Sequence, residues 1–69
     1  MYNIPDCSWP ELVNWLIQEH QATRVPFYDE HRNAYWAIYI LDPQLEKFIY
    51  LKHPEYWVSK WQAWIVDTD

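Results

Sequence analysis

Glycine is absent from these 69 residues, whereas an ordinary chain carries about 7%. A Walker-type phosphate loop, a dinucleotide fingerprint and a nucleophile elbow each need glycine for a tight turn or for close approach of the backbone to a ligand, so all three are excluded. Turn positions with positive φ must then fall on other residues. Asn33 and Asp29 are the expected ones, because short polar side chains tolerate that region best. Cysteine is nearly absent too: Cys7 stands alone, so no disulfide forms within the chain. Basic residues are scarce. Five Lys and Arg against ten Asp and Glu give a net charge of −5, and no basic stripe offers the counterion release on which backbone-tracking nucleic-acid binders depend. The longest apolar run, AYWAIYIL at 34–41, is too short to cross a bilayer as a helix. The N-terminal stretch MYNIPDCSWP has no basic segment followed by an apolar run, so no secretory signal is read there. A cytoplasmic location without membrane association is expected.

Aromatic residues are what the chain has in excess: six Trp, six Tyr and two Phe. The length is that of one domain, and a domain this small buries only about 60% of the surface it exposes when unfolded. Its ordering entropy has to be offset largely by rings that bury roughly 150–250 Å² each. Most of the aromatics are therefore core, and a minority is left for a binding face.

SWPELVNWLIQEH reads as a helix over 8–21. Ser8 and Glu11 have capping-box spacing, and Pro10 sits in the first turn, where its missing N–H costs nothing. Trp9, Leu12, Val13, Leu16 and Ile17 form one apolar stripe at helical period, with His20 near its centre in the last turn. RVPFYD is weakly extended, and Pro26 confines it to a sheet edge because it cannot donate to a ladder. DEHRN is a polar turn. AYWAIYIL, rich in β-branched and aromatic residues and bounded by turn residues, is the strongest strand. Asp42 and Pro43 fit the first two positions of a type I turn, and KFIYLK then reads as the return strand. The stretch over 55–66 reads as a further strand, with a helix as the alternative. As a strand it puts Trp61, Ala63 and Ile65 on one side, taken as the inner one, and Lys60, Gln62 and Trp64 on the other. The expected fold class is α+β: one N-terminal helix packed on a three- or four-stranded antiparallel meander sheet.

One helix covers one face of a sheet, which leaves the other for water or a partner. Alternation assigns Ile38, Ile40, Ile49 and Leu51 to the floor under the helix. The outer face then carries Tyr35, Tyr39, Tyr50, Lys52 and Trp64. Tyr and Trp give large contact area at small entropic cost and dominate interface hot spots. The expected function is accordingly a non-enzymatic protein–protein interaction module, a small modulator or inhibitor of a larger host protein, binding a protein partner or a second copy as a homodimer. A different class of reading takes the acids Asp29, Glu30, Glu46, Glu55, Asp67 and Asp69 as a mimic of nucleic-acid phosphates on an inhibitor. A third has the aromatics stack single-stranded nucleic acid, which the acidic balance disfavours. Cys7, His20, His31 and His53 show no zinc-like short spacing, so neither metal nor cofactor is expected. Asp29 to Arg32 has catalytic residue types in a row, but neighbours in a polar turn rarely converge on one point, and catalysis is not expected. Short, acidic, glycine-free and aromatic, the chain is similar in composition to small phage or mobile-element proteins that bind and block a host machine.

Overall fold

The computed structural model describes residues 3–67. The order is α1 (Trp9–Gln18), β1 (Ala22–Tyr28), β2 (Ala34–Ile40), α2 (Pro43–Lys52), a 3-10 turn (Pro54–Tyr56), β3 (Trp57–Val58) and β4 (Ala63–Asp67). The α+β class holds. The strands form one antiparallel sheet in the order β1-β2-β4-β3, so β4 lies between β2 and β3, and the chain is not a simple meander.

The N-terminal helix forms where its apolar period places it, and Trp9, Leu12, Val13 and Leu16 are its buried residues. Its ends differ from expectation. The Ser8 Oγ donates to Glu11 Oε1 at 3.1 Å and caps no backbone N–H. At the other end the Gln21 N–H donates to the Leu16 carbonyl and the His20 N–H to the Ile17 carbonyl. This is a Schellman closure, and it needs a left-handed residue at the C′ position. His20 takes that position with φ 57° and is exposed, so it belongs to the helix stop and not to the apolar stripe. The other positive-φ residues among those described are Arg32 and Gln62. Neither Asn33 nor Asp29 is one of them: both instead close the β1–β2 hairpin, Asp29 N–H donating to the Asn33 carbonyl.

KFIYLK is the largest departure. It is the body of a second helix and not a return strand. Asp42 caps it by accepting the Gln44 N–H at 2.9 Å, and Pro43 opens it. Leu45 and Ile49, four residues apart, point inward together. Ile49 is thus in the core as expected, but from a helix, and Leu51 is 78% exposed.

Both helices lie on the same face of the sheet. Trp9, Leu12, Val13 and Leu16 of α1 meet Leu45 and Ile49 of α2, Ala22 of β1, Ile38 of β2 and Trp64 of β4 in one core, with Trp36, Ile40 and Val66 packed against it. The Trp9 ring stacks on Tyr56 at 5.0 Å and meets Trp64 at 5.4 Å, while its Nε1 donates to the Ile65 carbonyl at 2.7 Å. Every indole N–H in a dry core needs such a partner.

Candidate functional site

With both helices on one side, the opposite face of the sheet is left bare. Strand alternation and the ladder register give its composition. Thr23, Val25 and Phe27 of β1 lie beside Tyr39, Ala37 and Tyr35 of β2, and Ala37 and Tyr35 lie beside Ile65 and Asp67 of β4. Val58 of β3 sits beside Ala63. Residues 59–62 turn between β3 and β4, and the ring of Trp61 from this turn rests on Phe27 at 4.5 Å and near Tyr35 at 6.5 Å. Ala37 and Ala63 are buried here, small side chains sunk among larger neighbours, whereas Val25 and Tyr39 are 46% and 45% exposed. The face is apolar and aromatic, with one carboxylate, Asp67, at its end.

The sheet edges are poor docking sites. Pro26 interrupts the donor row of β1, which is an edge strand as its proline requires. The other edge, β3, has only two residues. A partner strand finds little to pair with, and the face is what remains.

Of the residues expected on this face, the structure places Tyr35 and Tyr39 there. Tyr50 and Lys52 are exposed but belong to α2, on the helix side of the sheet. Trp64 is 1% exposed and forms the middle of the core. Trp61, expected inside, is half-buried on the bare face. The grouping by alternation survives, since Trp61 and Ile65 do share a side opposite Trp64, but the two sides are exchanged. The reason is register: β4 is flanked on both edges, with Ile38 and Trp57 beside Trp64, and these neighbours face the helices. Val25, Phe27 and Ile65 were not expected on this face. The alternation of Thr23, Val25 and Phe27 around Pro26 was the available signal for two of them.

The acids are spread over several elements. Asp29 and Glu30 sit at the β1–β2 hairpin, Glu46 on α2, Glu55 in the 3-10 turn, and Asp67 at the end of β4 opposite Tyr35; Asp69 lies outside the described residues. Partial burial pushes the Asp29 carboxyl up, but hydrogen bonds from the Asn33 backbone and side chain and the His31 backbone, together with the nearby His31 charge, outweigh this. They hold it below the ordinary aspartate value. Glu30 approaches His31 at 3.8 Å and Glu55 approaches His53 at 3.8 Å, ion pairs only when the histidine is protonated. Glu46 has a different partner: its Oε2 accepts the Trp64 Nε1–H at 2.9 Å. Among the described residues no three His, Cys, Asp or Glu side chains gather as a metal-binding set, and no helix is long and apolar enough to cross a membrane. The chain matches no family model, no curated protein and no solved structure.

Proposed function

We propose that this chain is a non-enzymatic protein-interaction module whose recognition surface is the helix-free face of its sheet, centred on Tyr39, Val25, Phe27, Tyr35 and Trp61. The observation that carries the reading is that both helices pack on one side, leaving a face of exposed Tyr and Val around a half-buried Trp. Contiguous aromatic surface of this kind is typical of hot spots.

The size of the face limits the occupant. Strands of this length at normal spacing give a face of roughly 20 Å by 15 Å, or about 300 Å². Two copies stacked face to face would bury far less than the ~1,200 Å² of a stable interface. The partner must therefore also engage neighbouring surface. At the hairpin end that surface carries three carboxylates, Asp29, Glu30 and Asp67, against the guanidinium of Arg32, beside His31. The occupant that fits is a protein presenting an apolar patch rimmed by Lys or Arg, attracted by a chain of net charge −5.

Capture from a native host extract with wild type, Tyr39→Lys and Leu51→Lys tests this. Both positions are exposed, so both variants are expected to fold. Wild type and Leu51→Lys are expected to retain one protein that Tyr39→Lys loses, and the retained protein is expected to dissociate as salt rises. Equal capture by all three chains overturns the reading. A concentration-dependent dimer in sedimentation, abolished by Tyr39→Lys, would replace the foreign partner with a second copy.

A further inference from the structure

A helix at a protein surface ordinarily turns polar residues to water. Helix α1 does so with Glu11, Asn14 and Gln18, all exposed. Helix α2 does not. With Leu45 and Ile49 pointing inward, the helical period turns Lys47 and Leu51 outward and Phe48 to one flank. Leu51 is 78% exposed, more than any other large hydrophobic residue among those described, and Phe48 is 48% exposed. The run from Phe48 to Leu51 is apolar or aromatic all round the helix, which is the pattern of a helix covered on every side.

We infer that the outward side of α2 in one copy docks on the helix-free sheet face of the next, so that copies associate head to tail. The inference rests on the reading of that face as a recognition surface and gives it a second occupant, this chain itself.

Position, size and charge agree with that pairing. The two surfaces lie on opposite sides of one molecule, so a chain cannot satisfy itself and the contact runs between copies. A helix laid on the second face completes a sheet covered on both sides, the usual setting for strands that are apolar on both. Ten residues make α2 about 15 Å long and about 10 Å across, which fits a face of roughly 20 Å by 15 Å. The exposed charges of α2 are Lys47 and Lys52, while Asp42 and Glu46 accept the Gln44 N–H and the Trp64 Nε1–H. Around the sheet face the carboxylates of Asp29, Glu30 and Asp67 outnumber Arg32 and Lys60.

Such a contact buries roughly 600 Å² in all, about half of what a stable interface needs, so a dissociation constant of about 0.1–1 mM is expected. Because the two surfaces differ, the contact does not close on itself and further copies add. At low concentration the face stays open to a foreign protein.

The test is sedimentation equilibrium of the full chain up to about 1 mM, for wild type, Tyr39→Lys, Leu51→Glu and an equimolar mixture of the two variants. Both replaced side chains are exposed, and circular dichroism matching wild type checks that each variant folds. Wild type is expected to rise past twice the single-chain mass. Each variant keeps one intact surface, so each alone is expected to stay a monomer. Their mixture is expected to rise toward twice the single-chain mass and no further. In that mixture isotope-labelled Leu51→Glu is expected to shift the amide resonances of Val25, Ala37 and Tyr39, and labelled Tyr39→Lys those of Lys47 and Leu51. A wild type that stays monomeric at about 1 mM, or a mixture that stays monomeric, overturns the inference. If Leu51→Glu associates like wild type while Tyr39→Lys does not, this inference falls and the sheet-face reading stands. If Tyr39→Lys both associates and captures the host protein like wild type, the two fall together.

Discussion

The indole of Trp64 donates its N–H to the Glu46 carboxylate across 2.9 Å, and this bond ties the central strand β4 to the second helix. Trp64 also meets Trp9, Trp57 and Tyr50 ring to ring. One side chain thus links α1, α2, β3 and β4, with its polar atom satisfied and 1% of its surface exposed.

Removing that ring is expected to be severe. Burial of this kind makes Trp64→Ala cost about 3–5 kcal/mol. A chain of this length has roughly 3–10 kcal/mol in all, at ~0.05–0.15 kcal/mol per residue. Trp64→Ala is therefore expected to be largely unfolded at room temperature. Trp61→Ala, which uncovers only part of a half-buried ring on the bare face, is expected to cost about 1–2 kcal/mol and to keep the fold. Far- and near-ultraviolet circular dichroism of the two variants checks this; comparable unfolding by both would contradict the placement of the two rings.

Three exposed residues among those described hold the left-handed conformation without the glycine that suits it: His20, with φ 57°, Arg32, with φ 63°, and Gln62, with φ 52°. That region costs a residue with a Cβ about 1–2 kcal/mol, while glycine adds unfolded-state entropy of roughly 0.5–1 kcal/mol. His20→Gly and Arg32→Gly are each expected to stabilise the fold by about 0.5–1 kcal/mol. The urea midpoint should rise with no change in slope. Gln62→Gly is expected to gain less, because the Gln62 side chain donates to the Ser59 carbonyl at 2.8 Å and that bond would be lost.

Acid is expected to loosen the β1–β2 hairpin through Asp29. Its folded-state carboxyl lies below the ordinary aspartate value. The unfolded state therefore takes up the proton first as pH falls. The contribution is complete above the unfolded value and is lost as pH drops through the folded one. Asp29→Asn keeps an acceptor for the hairpin N–H groups but cannot titrate, so its stability is expected to fall less than that of wild type between pH 6 and pH 3. Denaturation midpoints at the two pH values decide it, and equal losses in the two chains would remove Asp29 as the cause.

Helix α1 was legible because its signals are local. Trp9, Leu12, Val13 and Leu16 repeat at 3.6 residues with Pro10 in the first turn, and no distant contact is needed to read that stripe. The same holds for β2, whose Ala34–Ile40 run is bounded by turn residues, and for the edge position of β1, which follows from the missing N–H of Pro26. The start of α2 was legible as well but ambiguous. Asp-Pro opens a type I turn and a capped helix with nearly the same backbone, and Phe48-Ile49-Tyr50-Leu51 has the residues of a strand. Burial of Leu45 and Ile49 against α1 and Trp64 selected the helix.

The tertiary structure alone decided which face of each element points inward. Alternation groups Trp61 with Ile65 and sets Trp64 apart, but it carries no sign: a two-residue period is unchanged when the strand is turned over. The sign came from the partners. Pairing of Trp64 with both Ile38 and Trp57 placed it under the helices, and the turn at 59–62 sent Trp61 to the bare side. Composition led to the expectation that most rings are core, but among the described residues only Trp9 and Trp64 are fully buried, while Tyr28, Tyr39, Phe48 and Tyr50 are exposed and the other rings are half-buried. Which of them stayed outside depended on how β4 was inserted between β2 and β3, a contact between segments far apart in sequence that no local pattern encodes.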